Sequence, residues 1–467
     1  MNRLFFLTAL LAAGCAGAHN LAPGRSDPST SPSPAQPWTP PASAIPPPVE
    51  GAAPALPEGI TPASPISLAQ VIDIALSNNP DTRIAWLSAR SAEAALGSAR
   101  SAYFPEVDLN AQIAHSRVVA QGGQNVTTQT SFGPSLALTW LLFDFGGREA
   151  QIDQARQTLI AADYTHNQAI QNTILNVQQA YYGLLANKAL LSAETATLKE
   201  RQASLDAAEA RHRAGVATIA DVLQARTALS QARLTRETLE GNVRAFEGAL
   251  ATAIGLPATA KFDFGELPLD IPADRVMGDV DALIARAVAE RPDLAAARSI
   301  AQRARARIRE VRAQGLPSIV AGASAGQTWF GGFDRSTSPY SASVGLRLPL
   351  FTGFRNTYDI RQAETDAQIA VEDARALEQR VSLDVWTSYF GVQTATQRLT
   401  TSRDLLASAQ QSVDVALNRY QAGVGSIIDL LTAEAALENA RAQEVQARTD
   451  WFLSIAQLAH ATGTLER

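Results

Sequence analysis

The chain has 467 residues, 46% of them apolar, 18% charged and 6% aromatic, with one cysteine and 39 basic against 45 acidic side chains for a net charge of −6. One cysteine makes neither an internal disulfide nor a thiolate metal cage, and a mildly acidic chain lacks the electrostatic footprint of a nucleic-acid binder, so redox, zinc-finger and DNA-binding functions fall away. The most lipid-like stretch, residues 4–13, is about half the length of a spanning helix, so a membrane crossing by the mature chain requires β-strands closed into a barrel.

Arg3 gives a basic start, residues 4–13 a hydrophobic stretch, and Ala12-Ala13-Gly14-Cys15 a run of small residues ending in the only cysteine. That order predicts an export signal over residues 1–14. The place of Cys15 resembles a bacterial lipoprotein box, with Ala12 in the slot usual for leucine, and the resemblance implies that Cys15 becomes the lipid-modified first residue. Residues 15–65 are dense in Pro, Ala and Ser, with runs at Pro40-Pro41 and Pro46-Pro47-Pro48. Such a stretch buries no core and is expected to act as an extended tether.

From Ser67 onward one unit is written twice. Asn79-Pro80-Asp81 returns as Arg291-Pro292-Asp293 and Phe104-Pro105 as Leu316-Pro317, both displaced by 212 residues. Leu142-Phe143 returns as Leu350-Phe351, Tyr181-Tyr182-Gly183 as Tyr389-Phe390-Gly391 and Ala214-Gly215-Val216 as Ala422-Gly423-Val424, displaced by 208. The change places a net four-residue deletion between Pro317 and Leu350. A period of about 200 residues is too long for a solenoid and points to two equivalent halves. These are residues 66–254 and 280–463, joined by a linker at 255–279 rich in Gly, Pro and Asp.

Each half is expected to run in the same order. A helical segment (68–104; 280–316) ends at a proline, and two strands follow (106–118 and 131–144; 318–330 and 340–351). Then come a long helix (148–214; 355–422), a glycine turn and a final helix (219–254; 427–462). The deletion thus falls in a strand hairpin. The first long helix spans about 100 Å at about 1.5 Å per residue, and the two shorter helices of its half match it if stacked end to end alongside. Ile170, Val177, Leu184, Leu191, Leu198 and Leu205 lie seven apart, answered by Val385, Val392, Leu399, Leu406 and Val413, a spacing that favours a left-handed coiled coil. The helices alone fit a periplasmic rod or a spectrin-like bundle equally well.

The strands discriminate. In residues 107–113, Val107, Leu109, Ala111 and Ile113 alternate with Asp108, Asn110 and Gln112, and weaker versions recur at 135–140 and 344–350. Alternation over about ten residues, apolar to lipid and polar to a wet lumen, is the pattern of an outer-membrane barrel strand. Strand 318–330 gives little contrast, because Ala321, Gly322, Ala323, Ser324 and Ala325 are all small. Tyr103, Phe104, Trp140, Phe143, Phe145, Phe351 and Phe354 gather where strands meet helices and read as an interfacial girdle. Four strands cannot close a barrel, so the barrel is shared: two chains give about 8 strands and a filled interior, three give about 12 and begin to leave a channel. Asp108 and Arg347 facing inward favour the wetter option.

Several of these motifs carry a family resemblance: Ser67-Leu68 with Ala75-Leu76 and Asn79-Pro80, the strand exit Leu142-Phe143-Asp144-Phe145-Gly146-Gly147-Arg148, and the Ala-Gly-Val turn leading to Asp221-Val222-Leu223. With their second-half partners, including Leu350-Phe351-Thr352-Gly353 and Asp429-Leu430-Leu431, they resemble the TolC family of outer-membrane efflux channels over residues 66–463. Cys15 and the tether look like its lipid-anchored branch. The fold so implied is mainly α with a transmembrane β-barrel portion: a homotrimer with a 12-strand barrel and a coiled-coil helical tunnel reaching into the periplasm. The partners implied are a periplasmic adaptor, an inner-membrane transporter and outer-membrane lipid, with no nucleic acid and no cofactor. The expected function is a passive exit duct for drugs or other small molecules. Type I protein secretion, or a non-conducting lipid-tethered scaffold, are the alternatives.

The distal turns are the candidate site. Thr218-Ile219-Ala220-Asp221 and Ser426-Ile427-Ile428-Asp429 each put a hydroxyl at a helix start and an acid three residues later, close to a capping box. Gly215, Val216, Thr218, Asp221, Gly423, Val424 and Ser426 are expected to face the adaptor. The resemblance implies a tip constriction at Tyr420 and Asp429, with Gly425 where an arginine and Thr432 where a second acid would complete the gate. No catalysis is expected. Gly322-Ala323-Ser324-Ala325-Gly326 fits G-x-S-x-G, but an extended stretch continues through it where a nucleophile elbow needs a sharp turn into a helix. The five histidines are scattered without metal-ligand spacing, and the sequon at Asn125 is expected in an extracellular loop.

Overall fold

The computed structural model describes residues 66–120, 125–268, 278–331 and 335–465, with Ala35 alone before them. The export signal at 1–14, Cys15 and the tether lie outside the described residues, as do 269–277 of the linker. The first half runs α1 (Leu68–Asn78), α2 (Pro80–Arg100), β1 (Glu106–Ala120), β2 (Asn125–Phe143), α3 (Gly147–Arg213) and α4 (Ile219–Ala253). The second runs α5 (Val280–Glu290), α6 (Pro292–Gln314), β3 (Ser318–Gly326), β4 (Thr328–Gly331), β5 (Ser336–Thr337), β6 (Tyr340–Arg347), α7 (Arg355–Gln421) and α8 (Ile427–Ala461).

The first helical segment of each half is two helices, not one. Proline forces the residue before it out of the helical region. Asn79 (φ −67°, ψ 126°) and Arg291 (φ −64°, ψ 124°) are extended accordingly, each followed by proline at the first position of a new helix. The break changes which helices stack. Asn79 Nδ2 donates to the Ala253 carbonyl at 3.1 Å, so α2 and α4 meet end to end, while α1 turns aside into a core with Ile174, Val177, Tyr181 and Leu184. In the second half Arg291 makes the same junction, donating from Nη1 to the Ala461 carbonyl at 3.3 Å, so α6 and α8 meet. α3 packs against α2 and α4 on one side and against α6 and α8 on the other, and α7 closes on α6 and α8. The heptads supply these contacts: Val177, Leu184, Leu205, Val385, Val392, Leu399 and Val413 are buried.

In the sheet, β1 pairs with β2, β2 with β3 and β3 with β6, all antiparallel, while β4 and β5 continue the β3 and β6 positions. The expected strand at 318–330 is interrupted at Gln327, and β6 stops at Arg347, two residues before Pro349, which has no N–H to donate. β2 is longer than expected. Its pairing with β1 runs unbroken from Glu106↔Thr139 to Ala120↔Asn125, so Asn125 opens a strand and not a loop.

Register sorts the side chains. Asp108, Ala137, Ser324 and Ser341 form one row across the four strand positions, and Leu109, Leu136, Ala325 and Tyr340 form the next. Successive side chains point to opposite faces. One face therefore collects Asp108, Asn110, Gln112, Ser135, Thr139, Ser324, Ser343 and Arg347, and the other Val107, Leu109, Ile113, Leu138, Trp140, Ala321, Ala323, Val344 and Leu346. Val118, Leu141, Val320 and, on β4, Phe330 are large apolar exceptions on the polar face. Pairing thus resolves the small-residue strand: its alanines join the apolar face, its serine the polar one. Ser324 sits mid-strand with its hydroxyl 2.9 Å from that of Ser341, a geometry without the turn of a nucleophile elbow.

Candidate functional site

Two ends of the described molecule bear on transport: the two-faced sheet and the hairpin turns of the helices. On the sheet's apolar face, Leu109 is 72% and Val344 72% exposed, and β1 and β6 each have one unpaired edge among the described residues. Aromatics bracket this face. At the helix end Trp140 Nε1 donates to the Tyr103 carbonyl at 3.0 Å, and Phe143 packs edge-on to Phe145 with centroids 4.7 Å apart. At the far end Phe132 stacks on Trp329 at 5.8 Å, a second girdle that the sequence reading missed, although both rings were visible beside a glycine-rich loop. The eleven steps from Phe132 to Phe143, at about 3.4 Å each and tilted by about 45°, rise roughly 26 Å, the height of an outer-membrane apolar band.

At the other end, α3–α4 and α7–α8 each turn back through a glycine. Gly215 (φ +75°) and Gly423 (φ +81°) take the left-handed conformation that ends a helix in a Schellman motif. The Val216 N–H reaches the Arg211 carbonyl and the Val424 N–H the Arg419 carbonyl, both at 3.0 Å. Both capping boxes form. Thr218 N donates to Asp221 Oδ2 at 2.9 Å and Asp221 N to Thr218 Oγ1 at 3.3 Å. Ser426 N donates to Asp429 Oδ2 at 3.3 Å and Asp429 N to Ser426 Oγ at 3.1 Å. Asp429 is exposed, as are Val216, Ile219, Val424 and Ile428, so each turn presents an aliphatic pair beside its acid.

Tyr420 lies elsewhere. Its ring is 3% exposed, packed among Leu205, Val222, Leu229, Ile427 and Leu430 from both hairpins. The Arg211 guanidinium lies 4.9 Å from the ring centre and donates to the Tyr420 carbonyl at 2.8 Å. Burial pushes the Tyr420 hydroxyl above the ordinary phenol range. Within one chain, then, Tyr420 braces the two hairpins from inside while Asp429 faces out. Arg211 was not legible as its partner, because it stands in the first half, 209 residues away.

A two-faced sheet with unpaired edges, continued by helices of 67 residues, defines the class of channel-forming outer-membrane proteins. The chain belongs to the outer membrane efflux protein family, whose model matches residues 71–256 and 283–464, one segment in each half. Among its relatives, Protein CyaE of Bordetella pertussis is 31% identical over 441 residues, covering 91% of this chain and 90% of that protein. The probable efflux pump outer membrane protein TtgC of Pseudomonas putida is 26% identical, covering 85% and 83%. The outer membrane protein VceC of Vibrio cholerae shares the fold with a TM-score of 0.75 at 22% identity, over 85% of this chain and 96% of that one.

Proposed function

We propose that three copies join β1 of one chain to β6 of the next, closing a 12-strand barrel that the helices continue into the periplasm. The protein is then the passive exit duct of a tripartite efflux system, receiving small molecules from an inner-membrane pump through a periplasmic adaptor. The two-faced register of the sheet carries this reading: a scaffold has no use for an exposed apolar face opposite Asp108, Asn110 and Gln112, and a single chain leaves both edges open. The likeness to TtgC, a probable efflux pump outer membrane protein, supports efflux as the task. The exposed aliphatic pairs at the turns suit the adaptor's tip. Lipidation at Cys15, following removal of residues 1–14, adds an anchor that the barrel does not need for pore formation. Intact mass of the mature protein tests this: a chain starting at a diacylated or triacylated Cys15 is expected, and an unmodified chain starting elsewhere refutes the anchor alone.

Asp429 from three chains would lie near one axis, where the summed negative potential attracts cations and resists anions. Asp429→Ala is therefore expected to reduce cation selectivity or raise conductance in planar bilayers, whereas loss of the cap alone costs about 0.5–2 kcal/mol of local helix stability. Asp221, with the same cap in the first-half hairpin, which the family resemblance implies lies outside the inner ring, is the control. Equal and unchanged conductance and selectivity in Asp221→Ala and Asp429→Ala would reduce both acids to helix caps.

A further inference from the structure

One contact between the halves, α3 against α8, is not a plain apolar seam. Arg201 and Ser204 stand between Leu198 and Leu205, where a heptad seam takes apolar side chains. Arg201 Nη1 donates to Glu434 Oε2 at 2.8 Å and to the Leu431 carbonyl at 3.3 Å, and Nη2 donates to Glu438 at 3.2 Å. The Ser204 hydroxyl donates to the other Glu434 oxygen at 2.5 Å. Next to this group Arg441 forks onto Glu200 at 2.9 and 2.7 Å and reaches the Thr197 hydroxyl at 3.2 Å. Glu194 completes the cluster: it is 5% exposed, and one of its carboxylate oxygens is buried without a hydrogen-bond partner among the described residues.

The charges do not balance. Glu194, Glu200, Glu434 and Glu438 face only Arg201 and Arg441, so full ionisation leaves two negative charges in excess; Glu200 and Glu438 reach water at the edge of the cluster, whereas Glu194 and Glu434 are buried. In Glu194, the unpaired member, burial and then the Glu438 carboxylate push the pKa up to about 7, against the pull of Arg201 and Arg441; burial also raises the Glu434 carboxyl, against its bonds to Ser204 and Arg201. From α7 the cluster meets uncharged Gln410, which accepts from Arg441 at 3.4 Å. Farther along α8, Glu444 and Arg448 pair with each other at 2.7 Å.

We propose that this cluster is a clasp between the two hairpins of one chain, and that its hold on the tip depends on whether Glu194 is charged. The clasp rests on the channel reading above. Arg201 precedes the Ala214 turn by 13 residues, about 20 Å of unbroken helix, so a shift of α8 on α3 reaches both turns. Protonated Glu194 leaves α8 seated; ionised Glu194 repels Glu438 and loosens it. The acid's raised value means that the seated state binds more protons than the released one. The hold is therefore full only below the ordinary carboxyl value of about 4.5, is lost progressively as pH rises to about 7, and falls no further above it.

Single-channel recordings of the reconstituted trimer at about pH 6 and about pH 8 span the upper end of that loss, where about a tenfold change in the equilibrium remains. The wild-type pore is expected to open severalfold more at the higher pH, and the Glu194→Gln pore to stay at the low level in both. A wild-type pore indifferent to pH, or a Glu194→Gln pore with the wild-type response, overturns the clasp and leaves the channel intact. A protein that conducts at no pH overturns the channel reading and the clasp with it. The unmodified protein gives a second measurement that needs no variant: amide exchange in residues 434–441, corrected for its intrinsic pH dependence, should speed up at about pH 8. Unchanged corrected exchange overturns the clasp.

Discussion

Leu109→Arg is expected to remove the assembled protein from the outer membrane. Leu109 pairs with Leu136, well inside the band bounded by Phe132 and Phe143, and its side chain is 72% exposed on the apolar face. A guanidinium facing lipid near the bilayer midplane costs about 2–4 kcal/mol in each chain, and a trimer meets that cost at all three subunits. Asn110→Arg, one residue on, points to the polar face and is expected to leave assembly unchanged. The measurement is the yield of heat-resistant trimer in outer-membrane fractions. Equal yields from the two variants would mean that the two faces do not meet different solvents.

Arg148→Ala is expected to loosen the joint between sheet and helices. The side chain is buried in the first turn of α3, where Nη1 donates to the carbonyls of Leu141 at 2.6 Å and Ala102 at 3.2 Å, and Nη2 to that of Leu142 at 2.9 Å. Asp144 accepts from the Arg148 N–H at 2.6 Å, and the guanidinium lies 4.7 Å from the Tyr103 ring centre. One residue thus ties the turn after α2, the end of β2 and the start of α3. Removing it strands three carbonyls and takes from Asp144 its long Nε contact at 3.5 Å, though the backbone N–H stays, at about 3–5 kcal/mol per chain, and Arg148→Lys restores only part because a point charge cannot fork. Arg355 opens α7 in the second half but is exposed, so Arg355→Ala should change stability by about 0.5 kcal/mol or less. Thermal dissociation of the trimer reads the difference; equal effects would show that the buried fork contributes nothing.

The fold was legible wherever a period or a repeated motif marked it. Heptads located both long helices, but the twice-written Asn79-Pro80 and Arg291-Pro292 marked only the repeat and not the break between two helices, because a proline at a helix start and a proline inside one helix read alike until Asn79 is seen bonded to Ala253. The small-residue strand could not be sorted alone, because Ala321 and Ser324 differ too little in polarity; their faces come from partners Trp140 and Ala137. At the tip the caps were readable, since a capping box is local. Arg211 over Tyr420, and Arg201 against Glu434, were not, because each joins residues more than 200 positions apart and depends on how two hairpins lie side by side.

The account stands on a conducting pore shared by three chains, and single-channel recording of the purified, detergent-extracted protein in planar lipid bilayers tests it most directly. Discrete cation-preferring conductance steps are predicted, carried by the trimer fraction and absent from protein bearing Leu109→Arg. A protein that enters bilayers yet passes no current at any voltage or pH would contradict the channel and leave a membrane-embedded scaffold in its place.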